Sequence, residues 1–248
     1  MEKYVDDIVQ WLQQQVKNAG VKGLLVGVSG GLDSAVVAHL IKRAFPDDSL
    51  GVMLPIQTKP SDMKDAQNVI KSCGIEAITV DLSQTHEDMY GQITERLNEK
   101  DEFNVDNDQL AGANLRARLR MSTLYALATN YNYLVVGTDN ASEHYTGYFT
   151  KYGDGAADIM PLVEFTKQEV RELAAYLGVA GKLVSKEPSA DLWEGQTDED
   201  EMGTTYDKID AYLKGEEIPE KDKEIIERMH ANTAHKRDPL PQFKKLAN

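Results

Sequence analysis

Cysteine is nearly absent from this chain: among 248 residues Cys73 is the sole example. A single thiol excludes an internal disulfide framework and any zinc site built from several thiolates. Cys73 lies in Ile70-Lys71-Ser72-Cys73-Gly74, at the end of a helical pattern and with no motif around it. It therefore reads as a small, inert core residue. Positive charge is scarce too, with 27 Lys and Arg against 41 Asp and Glu and a net charge of −14. That balance excludes the broad basic surface needed for sequence-independent binding of nucleic acid, and equally a polybasic membrane anchor. No apolar run approaches the ~20 residues of a membrane span. Met1-Glu2-Lys3-Tyr4 opens directly into an amphipathic pattern without the apolar segment of a signal peptide. The expectation is a cytoplasmic protein that partners neither nucleic acid nor membrane. Apolar residues, at 41%, still suffice for a core.

Periodicity gives alternating helices and short strands without repeats. Val5, Ile8, Leu12 and Val16 mark an amphipathic first helix ending near Gly20. Leu24-Leu25-Val26-Gly27-Val28 is a continuous apolar run, as in a strand buried on both faces. A turn over Ser29 to Asp33 precedes a helix from Ala35 to Phe45, stopped by Pro46. Leu50 to Leu54 reads as a strand, followed by a loop holding Pro55 and Pro60. Asp65 to Cys73 is helical, Ala77 to Asp81 a strand, and Glu87 to Lys100 helical again. A long helix carries Leu110, Ala113, Ala117, Met121, Leu124 and Ala128, and Tyr133 to Gly137 is the next strand. This order predicts an α/β fold with a doubly wound, Rossmann-like parallel sheet, all strand C-termini on one edge. Thr138 to Met160 reads as loop, and helices return at Thr166 to Leu177, Tyr206 to Leu213 and Lys221 to His230. Glu187 to Glu201 holds seven carboxylates and no Lys or Arg, which suits a solvated mobile segment. One domain over 1–248 is expected, with a lid at about 187–203.

The segment with the clearest chemistry is Gly27-Val28-Ser29-Gly30-Gly31-Leu32-Asp33-Ser34. A buried strand ends there and a helix begins, so unpaired backbone N–H groups and the positive end of the helix dipole meet at one point. Gly30 and Gly31 allow close approach of a ligand. Ser29 and Ser34 can donate hydroxyl hydrogen bonds to phosphate oxygens, and Asp33 can hold a divalent cation that bridges them. The spacing fits neither the Walker A loop, which needs a lysine, nor the dinucleotide fingerprint. The plainer alternative is a Gly-rich turn with Ser34 as N-cap.

Ser29-Gly30-Gly31-Leu32-Asp33-Ser34 resembles the SGGxDS loop of the ATP pyrophosphatases, which cleave ATP between the α- and β-phosphates. Gly137-Thr138-Asp139-Asn140-Ala141-Ser142-Glu143 follows the fourth strand, and Thr150-Lys151-Tyr152-Gly153-Asp154-Gly155-Ala156-Ala157-Asp158 follows it. With Lys186-Glu187-Pro188-Ser189-Ala190-Asp191-Leu192 and the terminal His235-Lys236-Arg237, these blocks are similar to ammonia-dependent NAD synthetase. The resemblance covers essentially the whole chain and implies the adenine nucleotide alpha hydrolase-like fold. It implies ATP as co-substrate, Mg²⁺ as cofactor, and adenylylation of the nicotinate carboxylate of deamido-NAD followed by amidation with ammonia. NAD, AMP and pyrophosphate would be the products.

Carried over residue by residue, the resemblance assigns Gly27, Val28, Ser29, Gly30, Gly31, Leu32, Asp33, Ser34, Thr138, Lys167 and Ser189 to ATP. Asp33 and Glu143 would ligate Mg²⁺. Arg118, Lys151, Asp158, His235 and Lys236 would contact deamido-NAD. Asp154 and Ser29 would serve the chemistry itself, Asp154 by orienting or deprotonating ammonia. Ser189 and Asn140 stand where relatives more often carry Thr and His. Taken alone, Arg118 and His235 would read as surface residues, with Arg116 and Arg120 sharing a helix face that excludes Arg118. The length leaves no room for the amidohydrolase domain of glutamine-dependent relatives, so free ammonia is the expected donor. A homodimer is implied, with the 110–128 helix a candidate interface. Two rivals remain: another ATP pyrophosphatase acting on a different acyl group, and a non-catalytic nucleotide-binding module.

Overall fold

The computed structural model describes residues 1–186 and 197–244. Its elements, in chain order, are α1 (Glu2–Ala19), β1 (Gly23–Gly27), α2 (Leu32–Ala44), β2 (Ser49–Met53), α3 (Pro60–Cys73), β3 (Glu76–Thr79), α4 (Ser83–Asn98) and α5 (Val105–Tyr131). Then come β4 (Tyr133–Val135), α6 (Ala141–Thr146), α7 (Lys167–Leu177), α8 (Gly181–Val184), α9 (Asp198–Met202), α10 (Tyr206–Leu213), α11 (Glu220–Asn232) and α12 (Ala234–Arg237).

Four parallel strands form a sheet in the order β3-β2-β1-β4. Alternation along β1 supplies both faces. Leu24 and Val26 pack with the apolar faces of α1, α2 and α7, whereas Leu25 packs with Leu50, Val52, Val135 and the α5 residues Leu124 and Ala128. The expected doubly wound α/β architecture is therefore observed. The chain runs from β1 outward through β2 to β3 and then returns to place β4 on the other side of β1. The crevice at the C-terminal ends of β1 and β4 is thus the topological switch point, where doubly wound sheets bind ligands. A third apolar cluster, with Met202, Tyr206, Ile209 and Ile226, packs beneath Tyr145 and Tyr148.

Local signals explain most boundaries. Val5, Ile8, Leu12 and Val16 form the buried stripe of α1, and Gly20 closes it in a left-handed cap. The loop expected to hold Pro60 is shorter than the sequence suggests, because Pro60 starts α3, where a missing N–H costs nothing and its fixed φ suits the first turn. The stretch from Thr138 to Met160 is not all loop. Asn140 and Glu143 form a reciprocal capping box that initiates the short α6, and Val136 makes an isolated parallel bridge to Ile159. Cys73 is partly buried. Its thiol donates to the Ala38 carbonyl, and burial pushes it up to about 11. That agrees with an inert role. Most of the expected lid, Ser189 included, lies outside the described residues. The part within them, Asp198–Met202, is the helix α9. No helix among the described residues is long and apolar enough to cross a membrane.

Candidate active site

A cavity of about 330 Å³ opens at the β1/β4 switch point. The glycine turn forms one wall. Ser34 Oγ donates to the Gly31 carbonyl and accepts from Ser29 N–H, while Ser29 Oγ accepts from Gly31 N–H. These bonds close the turn on itself before any ligand arrives. Ser34 lies inside α2, and Gly31 is the N-cap. No side chain caps the helix, and Leu32, Asp33 and Ser34 of its first turn line the cavity. Unbonded amides and the helix dipole thus face a space that suits phosphate oxygens. Gly30 has φ +84°, and a Cβ there would lie 2.7 Å from the Asp62 carbonyl oxygen and 2.8 Å from Ala66 N. Only glycine fits between the turn and α3.

The β4–α6 loop forms the adjoining wall. Asn140 does two things: its Oδ1 accepts from the amides of Ser142 and Glu143, capping α6, and its Nδ2 donates to Asp33 Oδ1 at 3.0 Å. Asn140 thus ties the two walls together. Lys167 closes the site from α7. Its ammonium lies 2.7 Å from Asp33 Oδ2 and 3.0 Å from Glu143 Oε1, and 4.8 Å from the Tyr206 ring centroid. Lys167 is buried, with a side chain 5% exposed. Burial alone would lower it, yet the two carboxylates outweigh burial and raise it, so it is charged. Glu143 is raised by burial against the pull of Lys167.

A second layer holds these groups in place. Tyr206 is fully buried; its hydroxyl lies 3.2 Å from Glu143 Oε1 and 3.0 Å from Asp198 Oδ2. Tyr148 reaches Asp198 and Glu201 from the same side. Asp210, on α10, accepts from Ser142 Oγ at 2.5 Å and from Gln168 N–H at 2.8 Å. It thereby joins α6 to the N-terminus of α7, the two helices that carry Glu143 and Lys167. At the cavity mouth Lys186 bonds Asp62 and Asp65, and Lys182 bonds Asp65.

Could a cation sit between Asp33 and Glu143? Two carboxylate oxygens from separate elements converge on one point, and an ammonium already stands there. Hard oxygen donors of this kind suit Mg²⁺, which takes few protein ligands and completes its shell with water and phosphate. No group of three or more potential metal ligands exists among the described residues.

The sequence-predicted residues divide into two sets. Gly27, Val28, Ser29, Gly31, Leu32, Asp33, Ser34, Thr138, Glu143, Asp154 and Lys167 line the cavity, and Gly30 completes the turn behind it. Asp154 accepts from Thr150 N–H at the cavity wall. Arg118, Lys151, His235 and Lys236 instead form a separate, contiguous group outside the lining. Arg118 donates to the Lys151 carbonyl, Lys151 to the His235 carbonyl, and Lys236 to the carbonyls of Gly147 and Phe149. Asp158 accepts from Val135 N–H and Tyr125. Sequence reasoning missed Arg120, which lines the cavity and donates to the Leu54 carbonyl at 3.0 Å. It also gave no role to Asp139, Lys186, Tyr206 or Asp210. The acidic run is less remote than expected, since Asp198 is buried and lines the cavity.

Comparison with known proteins shows the family. The family model described as NAD synthase matches residues 4–240. The chain is 56% identical over 244 residues to the NH(3)-dependent NAD(+) synthetase of Alkaliphilus oremlandii, covering 98% of each chain. Among solved structures, it is 40% identical to one described as NMN synthetase from Francisella tularensis, with a TM-score of 0.90 and 98% of both chains covered. It is 29% identical to the NAD+ synthetase of Burkholderia pseudomallei, with a TM-score of 0.78, covering 95% of this chain and 89% of the other.

Proposed function

The chain belongs to the NAD synthase family, and from that premise we propose that it is an ammonia-dependent NAD synthetase, a ligase acting in the cytoplasm. ATP adenylylates the nicotinate carboxylate of deamido-NAD, pyrophosphate leaves, and ammonia displaces AMP to give the amide. A carboxylate is a poor electrophile, and a mixed anhydride with AMP supplies a good leaving group. The observation that carries the reading is the joining of an uncapped helix N-terminus to the Asp33–Lys167–Glu143 cluster at one sheet edge.

The chain's own groups have distinct tasks. The α2 amides and the Ser29 hydroxyl bind the phosphates, and the preformed turn avoids the cost of ordering a loop at that step. Asp33 and Glu143 would hold Mg²⁺, which supplies neutralisation of phosphate charge. Asn140 and Tyr206 orient those carboxylates. Thr138, at the cavity wall, and Ser189 would contact ATP, and Asp154 would handle the nitrogen nucleophile. Arg118, Lys151, Asp158, His235 and Lys236 would contact the distal part of deamido-NAD. A homodimer fits the apolar residues left exposed on α4 and α5, namely Met89, Ile93, Val105 and Leu110, and a lid at about 187–203 would close over the cavity mouth.

Purified protein given Mg-ATP, deamido-NAD and ammonium should release NAD, AMP and pyrophosphate. Release of ADP and phosphate, or no dependence on deamido-NAD, would sink the reading. A second reading is favoured by the likeness to the Francisella tularensis protein described as an NMN synthetase: the same amidation on nicotinate mononucleotide. Running both acceptors side by side decides between them by kcat/KM.

A further inference from the structure

A polyphosphate needs counter-charge, and among the described residues four cationic side chains line the cavity: Arg120, Lys167, Arg171 and Lys186. Three of them are already engaged. Lys167 lies against Asp33 and Glu143, Lys186 against Asp62 and Asp65, and Arg120 donates to the Leu54 carbonyl. Arg171 differs. Its side chain is only 25% exposed, yet its pairing oxygen, Asp207 Oδ1, lies 3.7 Å from Nη1, beyond hydrogen-bond distance. Asp207, on α10, is itself 86% exposed, and such a pair contributes little. Among the described residues the guanidinium donates no hydrogen bond. It carries five N–H donors in a rigid fork matched to carboxylate and phosphate oxygens. A ligand that fills the cavity removes water from those donors and has to supply acceptors in exchange.

Position along α7 says which anion that is. Lys167 and Arg171 are four residues apart, so they share a helix face and stand about 6 Å apart along its axis. Val170, Leu173 and Ala174 of the same helix share an apolar cluster with Val36, Val37 and Leu40 of α2. Arg171 therefore stands on the side of the glycine turn. Arg118, Lys151, His235 and Lys236 form their separate group outside the lining. We propose that Arg171 binds the terminal phosphates of ATP, those that leave as pyrophosphate, through paired N–H donors of its guanidinium. The proposal rests on the adenylylating function above. In that step a carboxylate oxygen of the acceptor forms a bond to the α-phosphorus. The bond from that phosphorus to the oxygen bridging it to the β-phosphate breaks, and its electron pair leaves on pyrophosphate. No proton is transferred. Arg171 stabilises the charge gathered on the leaving group, a task for which Lys167 has little charge to spare beside two carboxylates.

Calorimetric binding of inorganic pyrophosphate, ATP and AMP to the wild-type protein, Arg171→Met and Arg171→Lys, with Mg²⁺ present, tests this without turnover. Arg171→Met should weaken pyrophosphate and ATP by more than about ten-fold and leave AMP unchanged. Arg171→Lys keeps a charge but loses the fork, so its loss should be intermediate. Both variants should melt close to wild type, because the Asp207 pair contributes little. In steady state the KM for ATP should rise and product inhibition by pyrophosphate should weaken, while the KM for deamido-NAD stays put. Pyrophosphate affinity that is absent in the wild type, or unchanged in Arg171→Met, would overturn the proposal. So would a loss shared equally by AMP, which would make the residue structural, or a rise in KM confined to deamido-NAD, which would assign Arg171 to the other polyanion. Pyrophosphate binding through Arg171 in a wild-type protein that makes no NAD would leave the phosphate contact standing and refute the amidation function instead.

Discussion

Lys167 is the only cation touching Asp33 and Glu143 among the described residues, and Lys167→Met removes its charge while keeping most of its stem. The variant leaves two carboxylates, 17% and 14% exposed, facing each other in a poorly solvated site. Breaking one side of a buried pair costs about 3–5 kcal/mol. Here an escape route caps that cost, because one carboxyl can take up a proton. Glu143 already lies at about 7 beside Lys167, so its proton uptake near neutral pH is nearly free and the loss should fall below that range, to under about 3 kcal/mol. For a chain of this length, each kcal/mol shifts Tm by roughly 2–4 °C, so the variant should melt up to about 12 °C below wild type.

The pH dependence follows with a definite sign. In the variant Glu143, already raised by burial, loses the pull of Lys167 and is raised further, so the folded state binds more protons than the unfolded chain above 4.5. Its stability is therefore fully present below that value and is lost as pH rises. The gap to wild type should shrink to under about 1 kcal/mol near pH 5, where protonation costs little. Added Mg²⁺ should stabilise the variant more than the wild type, since no ammonium has to be displaced. Calorimetric scans near pH 5 and pH 7, with and without Mg²⁺, read all of this. A gap that does not change with pH, or one below about 1 kcal/mol at neutral pH, would refute the placement of Lys167 as the counter-charge.

Asp33→Asn keeps the shape of the side chain and should abolish NAD formation with little loss of folding, measured by turnover beside a thermal melt; a wild-type rate would refute the metal role. Gly30→Ala forces a Cβ to within 2.7 Å of the Asp62 carbonyl oxygen at φ +84°. It should raise the KM for ATP and lower Tm together, and a variant with unchanged KM would show that the turn does not hold phosphate. Tyr206→Phe removes one charge-assisted hydrogen bond in a fully buried position and should cost about 1.5–3 kcal/mol in denaturant unfolding. Because the hydroxyl helps orient Glu143, the variant's requirement for Mg²⁺ should also rise.

The glycine turn could be read directly because its chemistry is local. Six consecutive residues between a buried strand and a helix determine where the free amides lie, whatever surrounds them. The alternation of helices and strands likewise follows from periodicity, and with it the sheet edge on which both motif loops open. Cavity lining is another matter. Arg118 and Arg120 stand two apart on α5, on different helix faces, and periodicity does not say which face meets the cavity; the packing of α5 over β1 and β4 chose Arg120.

Roles that depend on distant partners were silent in the sequence for the same reason. Tyr206 meets Glu143 across 63 residues and Asp210 meets Ser142 across 68, and no local pattern encodes such meetings. That Asp139 Oδ2 lacks a donor among the described residues is likewise a property of everything packed around it. Composition and short motifs determined the fold class and the glycine turn, because those arise from near neighbours. Burial, pairing and the sign of the local potential arise from the whole fold, so the tertiary structure alone decided which of the many carboxylates line the cavity.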